Sequence, residues 1–205
     1  MKRIIVHWTA GSNKASEHDK KHYHFLIDGA GNVVPGLFKP EDNLSTADGH
    51  YAAHTKNCNT GSIGVSLCGM HEAVEQPFKT GPYPINKRQW DRMILLVADL
   101  ARKYKIPVTA QTVLTHAEVQ PNLGIAQNGK WDITRLPWDS GRQGAKAVGD
   151  HLRAGVKLAT VPAAPQKPVE PPKPAPTPVP VFPPVAAPAP SLWARIKALF
   201  RKGAK

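Results

Sequence analysis

The apolar positions change period along the chain, and those changes predict its elements. Arg3 to His7 carries Ile4, Ile5 and Val6 in an unbroken β-branched run, the mark of a short buried strand. Ser12 to Lys21 is polar and fits a helix capped by Ser12 or Ser16. Tyr23 to Asp28 alternates as a second strand, and Gly29-Ala30-Gly31-Asn32 turns it back toward Val33 and Val34 as a hairpin. Ser62 to Leu67 is a further strand whose Gly64 points to a close backbone approach. From Asn86 to Lys105 the period becomes helical: Trp90, Met93, Ile94, Val97, Leu100 and Ala101 share one stripe, and Pro107 follows the end. Thr112 to Thr115 is a last short strand running into His116, and Gly141 to Leu158 reads as a second helix built on Ala145, Val148, Leu152 and Val156. Strands interleaved with helices predict an α/β domain over residues 1–160, with a central mixed β-sheet flanked by helices.

Composition then divides the chain. Of its 21 prolines, 13 follow residue 160. Val161 to Pro190 is mostly Pro, Ala and Val, which stays extended and semi-rigid, so residues 161–190 read as a proline-rich linker. A ligand for a proline-binding domain is the alternative. In residues 191–205, Leu192, Trp193, Ile196, Leu199 and Phe200 fall on one helical face, with Arg195, Lys197, Arg201 and Lys202 elsewhere and Ser191 as N-cap. Such a cationic amphipathic helix at the end of a linker has no local core, so an anionic membrane or lipopolysaccharide is its expected partner. Docking back on the domain or pairing with a partner is the competing reading.

The net charge is +12, and the stretch after residue 160 holds 7 basic residues against 1 acidic. A basic chain seeks polyanions such as nucleic acid, acidic lipid or a bacterial wall. No DNA- or RNA-binding motif is present, so no nucleic-acid partner is expected. Cys58 and Cys68 are expected as free thiols, although one bridge is possible. Met1 to His7 is too short an apolar run for a secretory signal. The expectation is a monomer made in a host cytoplasm and acting in the periplasm on the cell wall after something else releases it.

Nine histidines invite a metal reading. His18, His22, His71 and His151 lie in polar contexts and are expected in solvent. His7 and His116 differ, because each stands at the end of an apolar strand, from which a side chain projects off a rigid base. His54 and His50, in the loop before the Ser62 strand, come next. In an extended Lys130-Trp131-Asp132, residues two apart face the same way, bringing a lysine and a carboxylate to one place. Two imidazoles and one carboxylate leave a fourth zinc position for water. Trp8 and Trp131, beside these residues, either shape a cleft or belong to the core.

Four ordered segments carry a resemblance. His7-Trp8-Thr9-Ala10-Gly11 resembles the first-strand signature of the zinc-dependent N-acetylmuramoyl-L-alanine amidases, a group that includes phage lysozyme-type amidases and peptidoglycan recognition proteins. Tyr23-His24-Phe25-Leu26-Ile27 with Asp28-Gly29 is similar to the second-strand motif. Ala53-His54-Thr55 followed by Asn59 to Leu67 is similar to the loop and third strand, and Thr115 to Pro121 to the second-ligand segment. The match spans roughly residues 1–150 in the family's order.

What the resemblance implies is a peptidoglycan hydrolase of the endolysin kind, cleaving the amide between N-acetylmuramic acid and L-alanine with zinc-activated water. It makes His7 and His116 zinc ligands. The family's third ligand is a Cys or an Asp two residues after a lysine. The stretch after His116, Asn122-Leu123-Gly124, has neither Lys nor Cys, whereas Lys130-Trp131-Asp132 looks like the Lys-x-Asp form of muropeptide-recycling amidases, making Asp132 the third ligand. Tyr23 and Lys130 take catalytic roles at the developing oxyanion, His54 a substrate contact, and Glu118 is a candidate proton donor or a support for His116. Two other readings stand beside this one. A cytoplasmic recycling amidase for anhydromuropeptides leaves the linker and tail without a purpose, and a non-catalytic peptidoglycan-binding protein leaves Asp132 without one.

Overall fold

A computed structural model describes residues 1–161. The predicted linker over 161–190 and helix over 191–205 lie outside the described residues, apart from Val161.

The strands are β1 (Arg3–Trp8), β2 (Phe25–Ile27), β3 (Val33–Pro35), β4 (Ser62–Leu67) and β5 (Val113–Thr115), and they form one sheet in the order β3-β2-β4-β1-β5. β4 runs parallel to β1 and β2, and β5 parallel to β1, while the β2–β3 hairpin is antiparallel, so the sheet is mixed as expected. Between β1 and β2 lies α1 (Glu17–His22), capped by Ser16, whose side chain accepts from Asp19 N. α2 (Lys87–Lys103) begins at Asn86, whose side chain accepts from Gln89 N while the Gln89 carboxamide returns a bond to Asn86 N, two orphan donors satisfied reciprocally. Gln89 also donates to Ile27 O and Cys68 O, each at 2.9 Å, and so ties the start of this helix to the ends of β2 and β4.

The two faces of the sheet have different fates, because strand side chains alternate. Ile4, Val6 and Trp8 of β1, with Ile63, Val65 and Leu67 of β4, join the main core. Trp90, Met93 and Val97 of α2 and Val148, Leu152 and Val156 of α4 (Ala145–Thr160) close it. The opposite face carries Ile5 and Leu114, packed with Cys58 and Val119 in a smaller cluster. His7, two residues beyond Ile5, shares that second face. Both cysteines are free and buried, and burial pushes the Cys68 thiol up to about 12.

Two sequence readings need correction. Residues from Gly141 do not start a helix. Asp139–Gln143 form β7, paired antiparallel with β6 (Arg135–Leu136), and α4 begins only after Gly144, whose φ of 93° turns the chain. This polar strand lacks any β-branched signal, and only its partner strand reveals it. His151 is not in solvent either: its ring stacks on Trp90 at 5.7 Å and 6°, and partial burial lowers its pKa. Helical spacing from Val148 to Leu152 turns it inward.

Candidate metal centre

Three side chains from distant parts of the chain converge above the second face of the sheet. His7 comes from β1, His116 follows the end of β5, and Asp132 lies in the irregular segment after α3 (Val119–Leu123). His7 Nδ1 is 3.1 Å from His116 Nδ1 and 3.1 Å from Asp132 Oδ2, and His116 Nδ1 is 3.2 Å from the same oxygen. All three residues are buried, and among the described residues this is the one group of three or more such side chains placed to hold a metal ion.

The other nitrogen of each imidazole is already engaged. His116 Nε2 lies 2.9 Å from Gln127 Oε1, an acceptor. His7 Nε2 lies 3.2 Å from His54 Nδ1 and 3.4 Å from Thr55 Oγ1. His54 Nε2 faces the carbonyl of Ser62 at 3.4 Å, which can only accept, so His54 Nδ1 is left as an acceptor for His7. Both histidines are thereby turned with Nδ1 toward Asp132 and Nε2 away.

Electrostatics agree with this arrangement. Burial holds the pKa of His7 down at about 4, leaving the imidazole neutral at pH 7. Burial opposes charge on Asp132 too, but hydrogen bonds from His116 and His7 outweigh it and hold the carboxyl at about 2. For His116, burial is outweighed by its bond to Asp132 and the charge of that carboxylate, so its pKa is raised.

A cavity of about 680 Å³ opens onto His116 and Asp132. Tyr23, His54, Lys56, Lys130, Trp131 and Trp8 are among its lining residues. The Tyr23 ring lies 5.2 Å from that of His7, and burial followed by the Asp132 charge raises its pKa, so the phenol stays protonated. Trp8 and Trp131 meet edge to face at 4.6 Å and serve both as cavity wall and as packing. Lys130 is exposed on the rim, and Lys130-Trp131-Asp132 is irregular rather than an extended strand; Lys130 and Asp132 line the same cavity all the same. His54 lines it too, with both ring nitrogens committed to His7, Thr55 and Ser62. His50 is exposed and packs on Phe38 at 4.8 Å, away from the cavity lining. His22, expected in solvent, is a lining residue.

Glu118 does not face the cavity, and it supports His116 only through the backbone of that segment. Its buried carboxylate accepts from Thr115 N at 3.0 Å and is gripped by Arg153 of α4, with Nη1 at 3.0 Å and Nη2 at 2.9 Å. It anchors the His116 segment to the helix layer and contributes nothing to the cavity. Two participants escaped sequence reasoning. Gln127 has no signal of its own in a polar loop, and His24 is a buried support: its Nδ1 accepts from Gly64 N at 2.9 Å and its Nε2 donates to Asn43 Oδ1 at 3.0 Å.

The family model for N-acetylmuramoyl-L-alanine amidases matches residues 1–135, a span that contains all three converging side chains. The chain belongs to the N-acetylmuramoyl-L-alanine amidase family. It is thus a peptidoglycan amidase, and residues of all four resembling segments, among them Trp8, Tyr23, His54 and His116, line the cavity. No curated protein sequence matches the amidase. Among solved structures it is similar to the amidase LysC from Clostridium intestinale URNW, with 15% identity, TM-score 0.45, and coverage of 76% of this chain and 85% of that one. It is also similar to the hydrolase AmiA of Staphylococcus aureus in complex with its ligand, at 14% identity and TM-score 0.48, covering 78% and 72%. The Ph2119 endolysin from the Thermus scotoductus MAT2119 bacteriophage Ph2119 has 15% identity and TM-score 0.44, with 75% and 83% covered.

Proposed function

We propose that the amidase is a zinc enzyme of the endolysin kind, which hydrolyses the amide joining the lactyl group of N-acetylmuramic acid to L-alanine. The observation that carries this reading is the triangle of Nδ1, Nδ1 and Oδ2 atoms, with edges of 3.1, 3.1 and 3.2 Å. With the Nε2 atoms turned to acceptors, three lone pairs face one point, an arrangement that a divalent cation satisfies. Tetrahedral zinc with ligands at roughly 2.0–2.1 Å has ligand–ligand spacings of about 3.3 Å, close to these edges. Two imidazoles and a carboxylate are also a donor set catalytic zinc accepts while keeping a place for water.

Zinc held by His7, His116 and Asp132 supplies Lewis-acid activation of water and polarisation of the amide carbonyl. The chain's own groups complete the site. Tyr23, kept protonated, donates a hydrogen bond to the oxygen on which negative charge develops, and Lys130 adds positive charge from the rim. His54 lies on the cavity wall, where the sugar–peptide would contact it, and braces His7. The paired Trp8 and Trp131 rings add an apolar stretch to the cavity wall, which strengthens nearby charge interactions.

The tail supports a lytic setting rather than recycling of small muropeptides. Residues 191–205 adsorb the enzyme to anionic membrane or lipopolysaccharide, the linker gives the domain reach, and the enzyme acts as a monomer on the wall from the periplasmic side. Zinc analysis and digestion of purified wall by wild type and Asp132→Ala test the core of the proposal. Wild type should carry zinc and release new L-alanine amino termini, and both should disappear on chelation and in the variant. Release of reducing sugars instead would identify a glycosidase and reject the assignment.

A further inference from the structure

We infer that Gln127 is a positioning residue of this site, one that sets how His116 faces the metal and fastens together the two loops walling the cavity. The inference rests on the zinc reading above. Gln127 belongs to the irregular stretch between α3 and Lys130, where an insertion of little consequence would be expected to lie at the surface. Its side chain is instead buried, with 5% of the residue exposed.

Every polar atom of that residue's side chain has a partner, and the partners determine its orientation. Gln127 Nε2 donates to the carbonyls of Lys56 at 3.0 Å and Ile125 at 3.4 Å. Carbonyls only accept, so the amide cannot be flipped, and Oε1 is the atom left to face His116 Nε2 at 2.9 Å. That contact puts the His116 proton on Nε2 and leaves Nδ1 as the lone pair aimed at His7 and Asp132. Gln127 N also donates to Gln120 Oε1 of α3 at 3.0 Å, which holds the residue from a third side.

The same carboxamide joins the cavity's walls. Ala53, His54, Lys56 and Asn59 line one side, and Asn128, Gly129 and Lys130 follow Gln127 directly on the other. Its bond to Lys56 O is therefore a staple across the site. A residue of this kind acts through His116 and the loops and not on the substrate, and loss of such a partner commonly weakens metal binding by about 10–100-fold.

The test compares wild type, Gln127→Leu and Gln127→Glu in the full chain. Zinc affinity is read by competition with a chromophoric chelator, and the imidazole N–H protons of the zinc-loaded protein by NMR. Wild type should show a slowly exchanging, low-field Nε2–H for His116. Gln127→Leu should lose that signal and bind zinc about 10–100-fold more weakly. Gln127→Glu, which keeps an acceptor for His116, should keep the signal and recover part of the affinity. Wild-type affinity in a folded Gln127→Leu overturns the inference. Should that variant fail to fold, the wild-type spectrum decides alone: ligation of zinc through His116 Nε2, or an Nε2–H in fast exchange with water, refutes it. Wild type that takes up no zinc rejects the zinc reading and this inference with it, whereas normal uptake with an unaffected variant rejects this inference alone.

Discussion

A methyl group placed on Gly64 of β4 would stand 2.6 Å from Cγ and 2.7 Å from Cδ2 of His54. Gly64 lies on the site face of the sheet, and the bare backbone there is what lets the His54 ring sit close against β4 and meet His7 edge-on. Gly64→Ala should therefore push His54 away, loosen the Nε2 support of His7 and lower zinc occupancy, with a stability loss of about 1–3 kcal/mol from overpacking. Zinc titration and urea denaturation of the variant check both effects. Unchanged zinc affinity would show that His54 does not brace the ligand.

Glu118 and Arg153 form a buried, bidentate ion pair. Glu118→Ala leaves Arg153 buried without its partner, a change that typically costs about 3–5 kcal/mol. The expected denaturation midpoint falls accordingly. Because Glu118 takes no part in the cavity, the milder Glu118→Gln should leave the pH profile of wall hydrolysis unshifted, an outcome that a role as proton donor would not allow.

Stability should fall with acid for a stated reason. Burial lowers the pKa of His24 from 6.5 to about 4, and its two hydrogen bonds are made by the neutral ring. The unfolded chain thus binds a proton that the folded chain refuses. This contribution is complete above about pH 6.5 and is lost as pH falls toward 4, to a total of roughly 3 kcal/mol. Urea denaturation of the chelated protein between pH 7.5 and 4.5 should show the loss, and His24→Gln should flatten the slope.

Tyr23 and Lys130 should separate chemistry from metal binding. Tyr23→Phe removes one donor from the developing oxyanion, so kcat should drop by about 10²–10³ while zinc content stays at the wild-type level. Lys130→Met should lower kcat in the same direction. Loss of zinc in either variant would instead place that residue in the support of the ligands.

Membrane adsorption should reside in the tail. A chain ending at Leu158 should lose binding to anionic vesicles that the whole chain shows, and added salt should weaken the charge-driven part of the latter. Equal binding by both chains would reject the assignment of residues 191–205.

Much of the fold was legible because its signals are local. An unbroken β-branched run located β1, the Ser62–Leu67 segment β4, and helical stripes α2 and most of α4. β7 was misread because Asp139 to Gln143 has no apolar alternation; a strand made by pairing with Arg135 and Leu136 leaves no such trace. At the site, His7 and His116 stood out by their position at strand ends, and Asp132 by its spacing from a lysine. His24, Gln127 and the true partner of Glu118 did not, since a hydrogen-bond partner 35 or 40 residues away has no periodicity.

By itself the amino-acid sequence determined which segments could become strands and helices, which residue types were present to hold a metal, and where the proline-rich stretch begins. Tertiary structure alone decided that Nδ1 rather than Nε2 of both histidines faces Asp132, that Glu118 serves the core, and that Gln127 reaches His116. The reason is physical: burial preferences act residue by residue along the chain, whereas the direction of a lone pair depends on acceptors that only folding brings within 3 Å or so.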